Sequence, residues 1–197
     1  MTVIETIRNK QKSVPVIDAV PLPHRPEMLL IGCVDARLNI EDIGIPYGKA
    51  IIYRNIAALV AGIGRRSGDR LSEAAALEFA VNVMKVRDIV VMGHTDCGGI
   101  QACLHGAPGD TGHIHKYLEP LEGVRTEVVK RGGNIEAQAR AMEEAAVRQS
   151  VMNLMSYPAV ATAVKAGRLT LHGWVINTAS RRISEMNPAT GKFAVMV

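Results

Sequence analysis

The sequence predicts an α/β fold in which a mostly parallel β-sheet is flanked by helices, with a helical arm at the N-terminus. Short apolar runs typical of buried strands alternate with segments of helical periodicity. Aromatic residues make up only 4% of the chain, so small and β-branched side chains must fill the core. A length of 197 residues fits one domain, and we expect residues 1–27 to form its arm and connector.

Residues 1–13 are polar and favour a short helix, and residues 14–27 favour an extended connector because they contain four prolines, namely Pro15, Pro21, Pro23 and Pro26. Apolar runs predict buried strands at Met28–Val34, Ala50–Tyr53, Asp88–Gly93 and Leu169–Ile176, and an edge strand at Phe193–Val197. Helical spacing and candidate caps predict helices at Ser67–Val86 (caps Ser67 and Asp69), Asn134–Ser156 (cap Asn134) and Pro158–Ala166.

Composition and charge exclude several classes of function. The net charge is +4. However, the sequence has no run of five basic residues and no aromatic residues interleaved with basic ones, so it does not indicate nucleic-acid binding. No apolar run reaches the roughly 18 residues of a membrane span, and the N-terminus has no signal pattern, so we expect a cytoplasmic protein. Three cysteines are an odd number, which favours ligands or buried thiols over a disulfide framework.

Two polar clusters follow predicted strands, at residues 32–37 and 93–99. Neighbouring parallel strands would bring both clusters to one edge of the sheet. Cys33, His94 and Cys97 would then offer two thiolates and an imidazole, a ligand set typical of zinc with one coordination position left for water or substrate. The His-x-x-Cys spacing alone fits a buried cysteine beside a hydrogen-bonded histidine equally well, so the interpretation depends on the pairing of the two clusters.

Asp35 and Arg37 form a second candidate feature of the site. Two residues apart in extended chain, they point to the same side and can form a bidentate pair. The pair is either an ordinary salt bridge or a means of keeping Asp35 ionised. An ionised Asp35 would accept a hydrogen bond from a water on the metal, or would itself become the fourth zinc ligand.

At these residues the chain resembles the β-carbonic anhydrases, whose signature is Cys-x-Asp-x-Arg followed by His-x-x-Cys-Gly. The likeness covers roughly residues 24–180 and includes further matching segments, at residues 53–57, 77–81, 89–91, 153–154 and 171–174. The resemblance implies one Zn²⁺ per chain and reversible hydration of carbon dioxide to bicarbonate and a proton. It also implies a homodimer or a higher assembly of dimers, with the N-terminal arm packed on the neighbouring subunit.

The resemblance also implies a substrate pocket. The backbone N–H of Gly98 would bind a substrate oxygen, because glycine lets the backbone approach a ligand closely. His24 stands where the family often has Gln, nine positions before Cys33, and Phe79 stands where it often has Tyr. Ile51 and Ile56 are apolar candidates that suit a small nonpolar substrate or simply the core.

One departure from the family pattern bears on regulation by bicarbonate. Some bacterial members with an inhibitory bicarbonate site have Trp three positions before the zinc cysteine, where this chain has Leu30. Arg54 matches another residue of that site, but because of Leu30 we expect this form of regulation to be absent.

Two alternative functions remain open, namely hydrolysis of a sulfur-containing substrate on the same zinc site and a purely structural role. Relatives that hydrolyse carbon disulfide or carbonyl sulfide tend to have Met after the Cys-Gly pair, where this chain has Gly99. A catalytically inactive structural zinc protein is disfavoured by the presence of Asp35 and Arg37. Cys103 is predicted to be a spectator thiol, and the remaining histidines between residues 105 and 115 are predicted to lie in a solvated loop.

Overall fold

The computed structural model describes residues 2–14, 24–64, 71–106, 109 and 112–196. The strands are β1 (Met28–Cys33), β2 (Ala50–Asn55), β3 (Asp88–His94), β4 (Thr170–Ile176), β5 (Ile183–Met186) and β6 (Phe193–Val195). The helices are α1 (Val3–Lys12), α2 (Leu71–Glu78), α3 (Gly98–His105), α4 (Gly112–Leu118), α5 (Glu122–Arg131), α6 (Ile135–Leu154) and α7 (Pro158–Lys165). Short 3₁₀ turns and one π-helical turn complete these elements, at Ile40–Ile43, Ile56–Ala58, Glu119–Leu121 and Phe79–Val83.

The described strands form one sheet in the order β2-β1-β3-β4-β5-β6. The first four run parallel, and β5 and β6 are antiparallel to their neighbours. Gly32 pairs with Met92, and Gly32 also pairs with Arg54 on the other side. The carboxyl ends of β1 and β3 therefore meet at one edge of the sheet, as the sequence predicted for a mostly parallel α/β fold.

Alternating residues of β1 and β3 enter two different cores, because successive side chains of a strand point to opposite faces. Leu29, Ile31 and Val91 belong to the first core, which α2, α7 and part of α6 cover. Leu30 and Met92 belong to the second core, which is covered by the helices between β3 and α6. Both faces of the central strands are thus buried, as expected for parallel strands.

Helix α6 lies unusually close to the sheet because two glycines face it. A Cβ atom at Gly93 would lie 2.6 Å from Cγ2 of Val147, and one at Gly173 would lie 3.1 Å from Cγ1 of the same residue. No side chain larger than hydrogen fits at Gly93 unless the side chain of Val147 moves. The sequence therefore brings α6 against the end of β3, beside the second polar cluster.

Some of the predicted helices match the structure and others differ from it. The predictions for α6 and α7 are confirmed, and the Asn134 side chain caps α6 by accepting a hydrogen bond from Ala137 N at 2.8 Å. The helix predicted over Ser67–Val86 is present from Leu71 as α2 and continues as a π-helical turn to Val83, so it ends three residues earlier than predicted. Its predicted caps Ser67 and Asp69 lie outside the described residues. The sequence interpretation also missed β5, α3, α4 and α5.

The N-terminal helix predicted from residues 1–13 is present as α1. Thr2 and Glu5 form a reciprocal capping box, which satisfies backbone donors at the start of the helix. None of its residues is buried, and Val3, Ile4 and Ile7 are exposed. The connector predicted for residues 14–27 lies mostly outside the described residues. No helix in the described part of the chain has the length and apolar character needed to cross a membrane.

Candidate active site

Cys33, His94 and Cys97 meet at the carboxyl edge of the sheet. Cys33 ends β1, His94 ends β3 and Cys97 is the N-cap of α3. The two Sγ atoms lie 3.9 Å apart, and the ligand atoms of all three residues lie within 4.8 Å of one another. The sequence prediction that the two clusters converge is confirmed.

The His94 ring has one nitrogen satisfied and one without a partner. Its Nδ1 lies 2.9 Å from the carbonyl oxygen of Thr95, which only accepts, so Nδ1 carries the hydrogen. Nε2 is buried and has no hydrogen-bond partner among the described residues. A buried polar atom without a partner is costly, and a metal ion held with the two sulfurs would satisfy it. Two thiolates and one imidazole suit zinc.

The two zinc-ligand cysteines differ in their protonation. The hydrogen bond between them lowers the pKa of Cys33 below its usual value and raises the pKa of Cys97. Burial raises the pKa of Cys97 further, against the opposing effect of the backbone N–H groups of Ile100 and Gly99. In the absence of metal, these shifts favour ionisation of Cys33 before Cys97.

Asp35 and Arg37 form the bidentate pair that their spacing predicted. Nε of Arg37 donates to Oδ1 at 3.0 Å, and Nη2 donates to Oδ2 at 2.7 Å. These bonds hold the pKa of Asp35 well below its usual range. The same Oδ2 lies 3.8 Å from Nε2 of His94. The ionised carboxylate is thus aimed beside the metal ligands while Arg37 fixes its position.

Two further arginines hold the first loop (residues 33–37). Arg54, next to Gly32 on β2, donates to the carbonyl oxygens of Cys33 at 2.8 Å and Asp35 at 2.7 Å. Nη1 of Arg181 donates to the carbonyl oxygen of Arg37 at 3.0 Å. The guanidinium of Arg54 is therefore engaged with the backbone of the loop that carries Cys33 and Asp35.

The second loop (residues 94–97) is held from α6. Oε1 of Glu143 accepts a hydrogen bond from Asp96 N at 2.7 Å, and Oε2 accepts one from Arg140 at 2.9 Å. Arg140 also donates to Oδ1 of Asp96 at 2.9 Å. Burial raises the pKa of Glu143, and the donors on Arg140 and on the backbone of Asp96 oppose that effect.

Two of the predicted substrate-pocket residues lie beside this site. Gly98 begins α3, and a Cβ atom there would meet nothing within 4 Å. A Cβ atom at Gly99 would lie only 2.8 Å from Cγ2 of Ile56. Ile56 therefore packs against the start of α3, and the backbone of Gly98 stays accessible.

The other three predicted pocket residues are not part of the metal-ligand group of their own chain. Ile51 pairs with Leu29, four residues before Cys33, and packs against the first core. Phe79 is 44% exposed and follows α2, whose buried Leu77 belongs to the same core. His24 is exposed. Cys103 is partly buried and lies outside the metal-ligand group.

Comparison with known proteins assigns the chain to a family. A family model described as carbonic anhydrase matches residues 28–183, which contain all three metal ligands. The chain belongs to the β-carbonic anhydrase family. Members of this family are zinc lyases that hydrate carbon dioxide, and the Cys-His-Cys group at the sheet edge is compatible with their zinc ion.

Individual β-carbonic anhydrases are similar over most of the chain. A carbonic anhydrase of Pseudomonas aeruginosa is 35% identical over 178 residues, which cover 85% of this chain and 76% of the relative. The structure of the β-carbonic anhydrase CcaA has the same fold, with a TM-score of 0.82 at 21% identity over 98% of this chain and 83% of that one. A tetrameric β-carbonic anhydrase of Sordaria macrospora has a TM-score of 0.75 at 26% identity, covering 89% and 84%.

Sequence reasoning missed Glu143 and Arg140 at this β-carbonic anhydrase site. Glu143 is 2% exposed and lies among the buried positions Ala139, Met142 and Ala146 of α6. A charged residue on the apolar stripe of a helix is rarely buried without a partner. That pattern was the available signal, although it does not identify the partner.

Proposed function

We propose that this chain catalyses the reversible hydration of carbon dioxide to bicarbonate and a proton. Cys33, His94 and Cys97 would hold one zinc ion. The observation that carries the proposal is the meeting of these buried ligands beside an ionised Asp35. When bound by three protein ligands, zinc supplies the Lewis acidity that lets water lose a proton near neutral pH.

Asp35 would orient the attacking water. Its lowered pKa keeps the carboxylate ionised, so it accepts a hydrogen bond and does not donate one. Both oxygens already bind Arg37, which fixes the direction of the remaining lone pairs. Arg37 would therefore act on the reaction through Asp35.

Gly98 would bind an oxygen of carbon dioxide or bicarbonate through its backbone N–H. It is the first residue of α3, whose N-terminus has no side-chain cap. The N–H groups of a first helical turn and the helix dipole favour negative charge at such an end. Ile56, packed next to Gly99, would supply an apolar wall for the linear substrate.

A second copy of the chain would complete the pocket. His24 and Phe79 are exposed and lie away from the ligands of their own chain, so we propose that they act across an interface between copies. The exposed apolar side chains of α1 and the tetrameric relative from Sordaria macrospora support a homodimer or an assembly of dimers. The contribution of Ile51 stays a prediction.

The proposal extends to the organisation and location of the chain. Residues 1–197 would form one zinc-binding domain, with residues 1–27 as arm and connector. A cytoplasmic location would suit the site because its two cysteines must remain reduced to bind metal.

Stopped-flow carbon dioxide hydration by the zinc-loaded protein tests this function, from about pH 6.5 to about pH 9, which brackets the expected pKa near 7 of a zinc-activated water. We expect activity to rise with pH and to fall by about 100-fold or more in Asp35→Asn. Asp88→Asn is the matched control, because Asp88 begins β3 at the opposite end from His94.

Absence of hydration at every pH, with one zinc bound per chain, would contradict the proposal. A fully active Asp35→Asn variant would leave the reaction in place but remove Asp35 from its mechanism.

A further inference from the structure

Glu143 is a buried carboxylate that lies behind the second loop. Its side chain is 2% exposed, and its oxygens accept hydrogen bonds from Asp96 N and from Arg140. A buried charge costs stability unless it is paired and hydrogen-bonded. The other inward positions of this part of α6 are apolar, so packing alone does not require a glutamate here.

The backbone of Asp96 is in the left-handed region. Its φ is 57°, a conformation that is uncommon among residues with a side chain and that aspartate adopts more often than most. Its N–H donates to Glu143, and its carbonyl oxygen accepts from Nη2 of Arg37 at 2.8 Å. Partners from outside the loop therefore hold the peptide groups on both sides of Asp96, between His94 and Cys97.

Arg37 connects this loop to Asp35. Its Nη2 donates both to the carbonyl oxygen of Asp96 and to Oδ2 of Asp35. The N–H of Asp96 donates to Glu143, and Arg37 donates both to the carbonyl oxygen of Asp96 and to the carboxylate of Asp35. The carboxylate on α6 is thus linked to the carboxylate beside the metal ligands by three consecutive hydrogen bonds.

The position of α6 makes this link possible. Gly93 directly precedes His94, and a Cβ atom there would lie 2.6 Å from Val147 and 3.9 Å from the carbonyl oxygen of Glu143. The absence of a side chain lets the helix approach the end of β3 closely enough for Glu143 to reach Asp96.

We infer that Glu143 is a positioning residue that fixes the metal-binding loop and, through Arg37, the carboxylate of Asp35. The effect on Asp35 rests on the proposed function, whereas the effect on the loop does not. If Glu143 formed only an ion pair within α6, it would bind Arg140 and would not accept the hydrogen bond from Asp96 N.

The test is Glu143→Gln, with Glu144→Gln as matched control, since Glu144 forms its ion pair with Arg148 instead. The first measurement is the rate of zinc release to a chelator, which we expect to rise by about 10- to 100-fold in Glu143→Gln and to stay unchanged in the control. The second is the amide resonance of Asp96 in the zinc-free protein, which should move in Glu143→Gln only. Zinc release and an Asp96 resonance that both match wild type would overturn the inference.

Glu143→Asp decides the question if Glu143→Gln does not fold. It keeps the charge that pairs with Arg140 but withdraws the carboxylate from the N–H of Asp96 by one methylene group. Faster zinc release than in Glu144→Asp, the matched control on the same helix, would support the inference, and equal release would overturn it. If the wild-type protein had no hydration activity, the proposed function would be wrong. Zinc release and the Asp96 resonance would still show whether Glu143 fixes the second loop.

Discussion

Cys33 and Cys97 are chemically identical residues whose pKa values are shifted in opposite directions. Their hydrogen bond lowers the pKa of Cys33 and raises that of Cys97, and burial raises the pKa of Cys97 further. Of the two thiols, Cys33 is therefore the one that ionises first. Zinc needs both as thiolates, so its binding releases the protons that remain on the pair.

This difference predicts the thiolate titration of the zinc-free protein. In a Cys103→Ser background, thiolate absorbance should appear first well below the ordinary cysteine pKa of about 8.5, and the second thiolate should appear only above it. Cys97→Ala removes the hydrogen bond that lowers the pKa of Cys33, so the midpoint of the remaining thiol should move upward. A single joint transition near the ordinary value in the parent protein would contradict the assignment.

At the residue scale, the sequence predicted the metal ligands and the Asp35–Arg37 pair but not the residues of α6 that hold the second loop. Cys33, His94 and Cys97 were recognisable because each belongs to a short motif at the end of an apolar run. Glu143 lies 47 positions from Asp96, and no local pattern links the two. Ile51 and Ile56 looked equivalent as apolar candidates, and only the strand register separates them, since Ile51 lies opposite Leu29 and Ile56 lies beyond the end of β2.

At the level of elements, the start of α3 packs tightly against the turn that follows β2. A Cβ atom at Gly99 would lie 3.1 Å from Cβ and 3.3 Å from N of Ala57. Ala57 is itself in the left-handed region with φ of 63°, so it has little freedom to move away. The 3₁₀ turn after β2 therefore fixes where α3 begins, and with it the position of Cys97.

Substitutions at the two neighbouring glycines should consequently differ. Gly99→Ala should lower the free energy of unfolding by about 1–3 kcal/mol, because the added methyl overpacks a rigid backbone contact. Gly98→Ala should change it by less than about 0.5 kcal/mol, since nothing lies within 4 Å of the added atom. Denaturant unfolding of the zinc-loaded proteins measures both, and equal losses would show that the backbone contact at Gly99 is not limiting.

The elements also show which signals are local. Asn134 predicted the start of α6 correctly because a cap acts through hydrogen bonds three residues away. The π-helical turn after α2 was not predictable, since an uninterrupted apolar periodicity extends through Val83. The short helices between β3 and α6 were missed because their periodicity is weak over 7 to 10 residues.

For the whole molecule, the metal would join parts of the chain that are distant in sequence. Cys33 and Cys97 are 64 positions apart and belong to separate strand-loop units of the sheet. A ligand that binds only the folded state adds stability in proportion to the logarithm of its concentration over its dissociation constant. The zinc ion should therefore stabilise the entire fold and not only its two loops.

Removal of zinc with a chelator should lower the melting temperature. At free zinc about 100 times the dissociation constant, the expected difference in unfolding free energy is about 2.7 kcal/mol. Cys33→Ser should melt identically with and without chelator, because it lacks a ligand. Cys103→Ser should behave like wild type, and a chelator-independent melting curve for wild type would contradict the metal assignment.

The order of the strands also has a consequence for biosynthesis. At a translation rate of about 5–20 residues per second, Cys97 leaves the ribosome roughly 3 to 13 s after Cys33. Until β3 pairs beside β1, the nascent polypeptide offers Cys33 as a solitary sulfur, a poor chelating group for any cation. Metal acquisition is consequently delayed until the sheet has assembled, which spares the emerging chain from capturing competing ions during its synthesis.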